Sequence, residues 1–262
     1  MRTARPRLIL PGARSLGIFL VLSLTVGILL YWISPILRFG EEEFFINFAD
    51  RRSWLGIPNT LDSVSNLGFL IVGLLGTNWG MRRDWSSDDG LSKAFVVSAN
   101  LVFVAVILTA LGSTLFHLNP THESLLWDRL PMTIGFAAIV SLLWADRVDS
   151  RSAVWILAIF IAIGAAGIYA WQEHDWATPY SALQAGVLIV VFLIAVFFRR
   201  GRISNFHVMG SLILYLVAKL FELGDRAVFD FTQILSGHTI KHVCAAAAIL
   251  LLLIGVKAAG RN

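Results

Sequence analysis

The chain has 262 residues, 57% of them apolar and 15% charged, with a formal net charge of +4 and a mean hydropathy of +0.74. An average soluble domain carries about 25% charged residues, so composition excludes that class and places the chain in a lipid bilayer. The basic residues fall in short clusters beside apolar runs, the pattern of topology signals, which excludes nucleic acid as a partner.

A bilayer core takes about 20 apolar residues in a helix. Eight stretches meet that requirement: 15–37, 61–80, 94–117, 124–145, 153–171, 181–198, 205–223 and 237–257. The first follows the basic segment "MRTARPRLILPGAR". Its apolar run exceeds the roughly 15 residues of a signal-peptide core and has no small-residue exit, so it reads as a retained helix. Spans 61–80 and 237–257 are the weakest at their N-terminal ends, where polar residues intrude. The expected fold is therefore an all-α, polytopic transmembrane helix bundle. Residues 1–40 form a basic N-terminus with an extra helix, and 41–262 form a seven-helix domain. The lone cysteine, Cys244, excludes an intramolecular disulfide and reads as a small packing residue. The nine tryptophans cluster near span ends, as an aromatic belt does.

Loop charges set the expected orientation. With a cytoplasmic N-terminus, the inner segments hold Arg2, Arg5, Arg7, Arg14, Arg82, Arg83, Lys93, Arg147, Arg151, Arg199, Arg200, Arg202, Lys257 and Arg261. The acidic runs "GEEEFF" and "QEHDW" then face outward. Both termini are expected in the cytoplasm. This topology brings three polar helix ends to the outer face: "GSTLFH" closing the third span, "SLLWDRLPM" opening the fourth and "SGHTIKH" opening the eighth.

Those ends carry the candidate chemistry. Ser113 and His117 are four residues apart, as are His238 and His242, so each pair shares a helix face. Two histidines one turn apart can hold one metal ion, with a third ligand from another helix; three histidines and a water make a catalytic zinc arrangement. The spacing alone is a weak signal for metal and more often marks histidines that meet headgroups or water at the bilayer interface. Asp128 lies more than a turn inside the fourth span, where a carboxylate is costly and usually functional. It reads as a group that orients or deprotonates a metal-bound water, with an ion pair to Lys219 or Arg226 as the alternative. Arg129 points about 100° away around the helix and so is not automatically its partner.

The surrounding polar residues are less decisive. His122 is expected in a water-facing turn, and His174 and His207 at the interfaces. Asp62, Ser65 and Asn66 open the second span and are expected to cap it, with lining the site's mouth as the alternative. Glu222, Asp225 and Arg226 close the seventh span, as an ion-pair cluster or as support behind the metal ligands.

"GSTLFH", "WDRLPM" and "GHTIKH" together resemble the alkaline ceramidase family, seven-helix membrane hydrolases of a superfamily that also holds the adiponectin receptors. The shared pattern is Ser113 and His117, Asp128 with Pro131 and Met132, and His238 with His242. "NTLDSVSNLGF" resembles the elements that open the family's first core helix. The resemblance spans about residues 45–257 and implies that His117, His238 and His242 bind zinc. Asp128 would be the general base on the zinc-bound water, and Ser113 would steady the metal site or the developing oxyanion. The implied reaction is hydrolysis of the amide of a ceramide-like membrane lipid. Family members usually have Glu and Trp where this chain has Arg129 and Lys241; both changes add positive charge and admit an anionic headgroup. The family's calcium-binding acidic cluster is not reproduced in "FADRRSWLGIPN", where Asp50 is the sole candidate, so zinc is the metal expected. The superfamily also offers another class, a membrane receptor or regulatory protein with a structural zinc site.

Overall fold

A computed structural model describes residues 12–37, 46–82 and 90–261. The N-terminal arginines Arg2, Arg5 and Arg7, the acidic run at 41–43 and Arg83 lie outside these residues. Among the described residues all regular structure is helical, and eight helical segments are long and apolar enough to cross a membrane. Helix α1 spans Ala13–Leu37, α2 Thr60–Ser65, α3 Leu67–Met81, α4 Lys93–Leu118 and α5 His122–Arg147. Then follow α6 (Ala153–His174), α7 (Thr178–Phe197), α8 (Asn205–Leu223), the short α9 (Asp225–Thr232) and α10 (Gly237–Ala259). Helices α2 and α3 make one span, interrupted at Asn66.

All eight expected spans are present, and their ends differ by at most a few residues. Helix α7 starts at Thr178 rather than 181 because Pro179 sits in its first turn; proline lacks the N–H that the first turn leaves unbonded anyway. Helix α6 runs on through the polar "QEH" and stops at Asp175, whose φ of 53° is left-handed.

Helices α4 and α5 form the centre of the bundle. Their turn is set by a reciprocal cap: Thr121 accepts from the Ser124 N–H, and the Ser124 hydroxyl accepts from the Thr121 N–H. The two helices come closest at Gly112, where an added Cβ would lie 1.9 Å from the Trp127 carbonyl oxygen. Pro131 lies inside α5 and supplies no N–H to that same carbonyl one turn back. The absence of a side chain on α4 thus meets a break in the α5 hydrogen-bond ladder at the residue before Asp128. Farther along the two helices, away from this contact, Ala99, Val102, Phe103, Leu142, Leu143 and Trp144 are buried.

The opposite end of the bundle is tied by Arg147, which donates to the Asn205 side chain at 2.6 Å and to the Ile203 carbonyl at 2.8 Å. Helix α1 lies on the outside against α7, with Ser15 donating to Asp149 at 2.8 Å. Arg14, Arg82, Lys93, Arg151, Arg199, Arg200, Arg202 and Lys257 belong to helix ends and loops at this basic pole.

Candidate metal centre

His117 ends α4, while His238 and His242 occupy the first two turns of α10. The α10 turn is anchored from three sides. Ser236 caps it by accepting from the Thr239 N–H. Asp62 of α2 accepts from the Ser236 hydroxyl at 3.1 Å and from the Thr239 hydroxyl at 2.5 Å. Asp225 accepts from the His238 N–H at 2.8 Å and, through its other oxygen, from the Ala49 N–H at 2.9 Å. On the facing side, the Asn59 side chain donates to the His117 carbonyl at 2.7 Å. These contacts fix the backbones of both histidine-bearing helix ends.

One nitrogen from each of the three histidines lies within 4.8 Å of the others. His117 and His242 are buried and His238 partly so. The His117 and His238 Nε2 atoms are 3.3 Å apart. Two nitrogens bound at about 2.0–2.1 Å to a tetrahedral zinc are separated by about 3.3–3.4 Å, so the spacing fits that ion. The Ser65 hydroxyl lies 2.8 Å from His242 Nδ1, which leaves Nε2 as the ligand atom. The His117 Nδ1 and Asp62 Oδ2 atoms are buried without a protein hydrogen-bond partner. Three clustered imidazoles and orphaned polar atoms beside them are costly unless something binds there.

The expected capping role of Asp62, Ser65 and Asn66 is not what the structure contains. None caps α2; the residue at that position is Asn59, with φ 44° and no side-chain cap. Asp62 instead faces the start of α10, Ser65 faces His242, and Asn66 is buried with its amide donating to the Asp62 carbonyl at 3.2 Å. Cross-helix partners outcompete the local backbone because burial removes the water that would otherwise satisfy these groups. Loss of the Ser65→Ala hydroxyl is expected to weaken metal retention about tenfold or more, read by competition with a graded chelator, with the fold intact by Tm.

Asp128 and Ser113 are buried and line one cavity of about 50 Å³ together with His242. Asp128 pairs with Arg129, whose guanidinium bends back to 3.4 Å, rather than with Lys219 or Arg226. The Arg129 head is also held over the Tyr180 and Trp171 rings, 5.6 and 5.9 Å from their centroids. A long side chain can cross the angle that separates adjacent residues at Cβ. The alternative partners are engaged elsewhere: Lys219 with Glu222, and Arg226 with the Ala49 carbonyl. Glu222 bridges Lys219 and Lys241, the latter at 3.0 Å, so it joins both readings offered for it: an ion pair that also stands behind the histidines.

Below this polar cavity two apolar ones follow in the bundle. The first, about 80 Å³, shares Phe69, Thr109, Met132, Tyr215 and Ala245 with it. The second, about 60 Å³, shares Phe136, Ile139, Tyr215 and Ile249 with the first. A further cavity, about 410 Å³ between α1, α5, α6 and α7, is lined mostly by apolar side chains.

Other histidines fall aside. His174 is exposed, and His207 bonds Ser204 at 2.7 Å. His122 is not turned to water as expected: it opens α5 half-buried, with Nε2 3.4 Å from the Gln172 carbonyl of α6. Phe48 carried no sequence signal, yet its ring sits 4.7 Å from that of His117 and 4.9 Å from that of His238. Asp50 is held by Arg52 through both carboxylate oxygens, at 2.8 and 2.7 Å. The guanidinium also donates to the Gln233 and Ile234 carbonyls, tying this segment to the α9–α10 loop. Within the chain its partner is Arg52.

That pair makes a pH prediction. The hydrogen bonds from Arg52 hold the Asp50 carboxyl below its ordinary value. A depressed folded-state pKa gives stability that is complete above the unfolded value of about 3.9 and is lost as pH falls through the folded value. Acid scans of Tm are expected to drop below about pH 4, and Arg52→Met is expected to flatten that limb.

The fold and the site together define a multi-pass helical membrane protein with a three-histidine cluster at one end of its bundle. The chain matches no model of a known protein family and no curated protein sequence.

Proposed function

We propose that this protein is a zinc-dependent amidohydrolase of membrane lipids, of the alkaline ceramidase kind. The observation that carries the reading is the cavity shared by Ser113, Asp128 and His242, beside the three-histidine cluster and sharing lining residues with an apolar cavity. His117, His238 and His242 would hold the ion. A zinc ion in such a site supplies Lewis acidity and lowers the pKa of water toward neutrality.

The chain's own residues account for the rest. Asp128 takes the proton from the attacking water and passes it to the departing amine nitrogen. Ser113, one turn before His117, offers a hydroxyl donor to the carbonyl oxygen as it gains charge. The amide bond breaks to a fatty acid and an amine, with water consumed. The apolar cavities flanked by Phe69, Phe136 and Ile139 receive the acyl chain. Phe48 covers the histidines and limits the access of bulk water.

Loop charges support an extracytoplasmic histidine pole and a cytoplasmic basic pole, with both termini inside. The test is incubation of detergent-purified protein with a panel of lipid amides and esters, with fatty-acid release measured by mass spectrometry. Amide cleavage abolished by a chelator and restored by zinc is expected; no release from any lipid would leave the metal site as a structural element of a receptor-like protein.

A further inference from the structure

The polar cavity has an unusual charge balance. Three cations line it, Arg129, Lys219 and Lys241, against two carboxylates, Asp128 and Glu222. Lys241 and Arg129 side chains are only 13% and 6% exposed and Lys219 is 33% exposed, so water reaches the excess mainly from the Lys219 side. A divalent cation on neutral imidazoles would add to it.

Hydrogen bonding gives the same direction. Lys219 donates to Glu222 and to the Gln184 side-chain oxygen at 3.1 Å. Lys241 donates to Glu222 at 3.0 Å and lies 3.4 Å from His238 Nδ1. An ammonium has three donors, so each lysine keeps one beyond these partners. Both lysines line the same cavity as Asp128 and His242.

From this we infer that the favoured substrate is a lipid amide with an anionic group a few bonds from the scissile nitrogen. The inference rests on the amidohydrolase reading. The anion completes the charge balance and accepts from Lys219 and Lys241 while the amide lies beside Asp128. The cavity, about 50 Å³, holds on the order of four water-sized positions. That is the scale of a carboxylate and its α-carbon, as in an N-acyl amino acid, or of one phosphate. The reaction is ordinary hydrolysis: one water is consumed, the C–N bond breaks, and the anion leaves with the amine.

The experiment compares matched pairs. N-oleoylglycine and N-oleoylethanolamine differ in carboxylate against hydroxymethyl; phosphorylated ceramide and ceramide differ in the phosphate. The anionic member of at least one pair is expected to show about tenfold or higher kcat/KM, since a charge-assisted hydrogen bond is lost with the neutral one. Lys219→Met is expected to bring that ratio near one, and Lys219→Arg to retain it. Which pair responds identifies the anion as carboxylate or phosphate. Equal cleavage of both members in both pairs overturns the inference and leaves the amidohydrolase reading in place. If no amide is cleaved, that reading fails, and ligand-induced Tm shifts with the same four lipids decide the inference: larger shifts with an anionic member, lost in Lys219→Met, support it, and equal shifts overturn it.

Discussion

Protein purified in detergent is expected to carry about one zinc per chain, and His242→Ala is expected to lose it. His242 is the most constrained of the three histidines: buried, held by Ser65 through Nδ1, and packed against the Phe69 ring at 5.8 Å. Its Nε2 therefore reaches the cluster with little rotational freedom, and removal leaves two ligands on separate helices. Second-sphere losses alone typically cost 10–100-fold in affinity, and loss of a ligand costs more. Elemental analysis reads the stoichiometry, and Tm with and without chelator shows whether the variant still folds. Iron or no metal in the wild type would sink the zinc assignment. A metal content unchanged in His242→Ala would remove this histidine from the site.

Asp128→Asn is expected to lower kcat for amide cleavage by about 10²–10⁴, with zinc content preserved. The amide keeps the shape of the carboxylate and can still accept from Arg129, but it cannot take a proton at neutral pH. The predicted pattern is a kcat loss with little change in KM, the mark of an interaction needed in the transition state. Zinc lost together with activity would instead assign Asp128 to holding the metal site. Equal fatty-acid release by wild type and variant would remove it from catalysis.

Much of this fold is legible from hydrophobicity, because every spanning segment must satisfy its own backbone hydrogen bonds within the bilayer. Eight apolar runs of the right length leave little other choice, and all eight are helices. The site is legible in part for a related reason. His117, Asp128, His238 and His242 stand out because polar groups at helix ends in so apolar a chain need an explanation. Helical spacing then pairs them by face.

Where the sequence misleads, long-range contacts override local rules. Asp62, Ser65 and Asn66 have the composition of a helix cap, yet Asp62 and Ser65 bond residues more than 170 positions away. Arg129 is at the wrong angle for Asp128 by Cβ geometry, and its flexible stem reverses that. Phe48 and Gln184 carry no pattern that distinguishes them, since their roles depend only on what packs beside them.

Composition and periodicity by themselves determined the class and the eight spans and marked the polar helix ends, because the bilayer penalises polar groups and bare backbone locally, residue by residue. Only the tertiary structure decided that α4 and α10 bring three imidazole nitrogens within 4.8 Å, and that Glu222 gathers two lysines beside them. Those arrangements depend on how helices distant in sequence are rotated and set against one another, and that is fixed by packing such as Gly112 against Trp127.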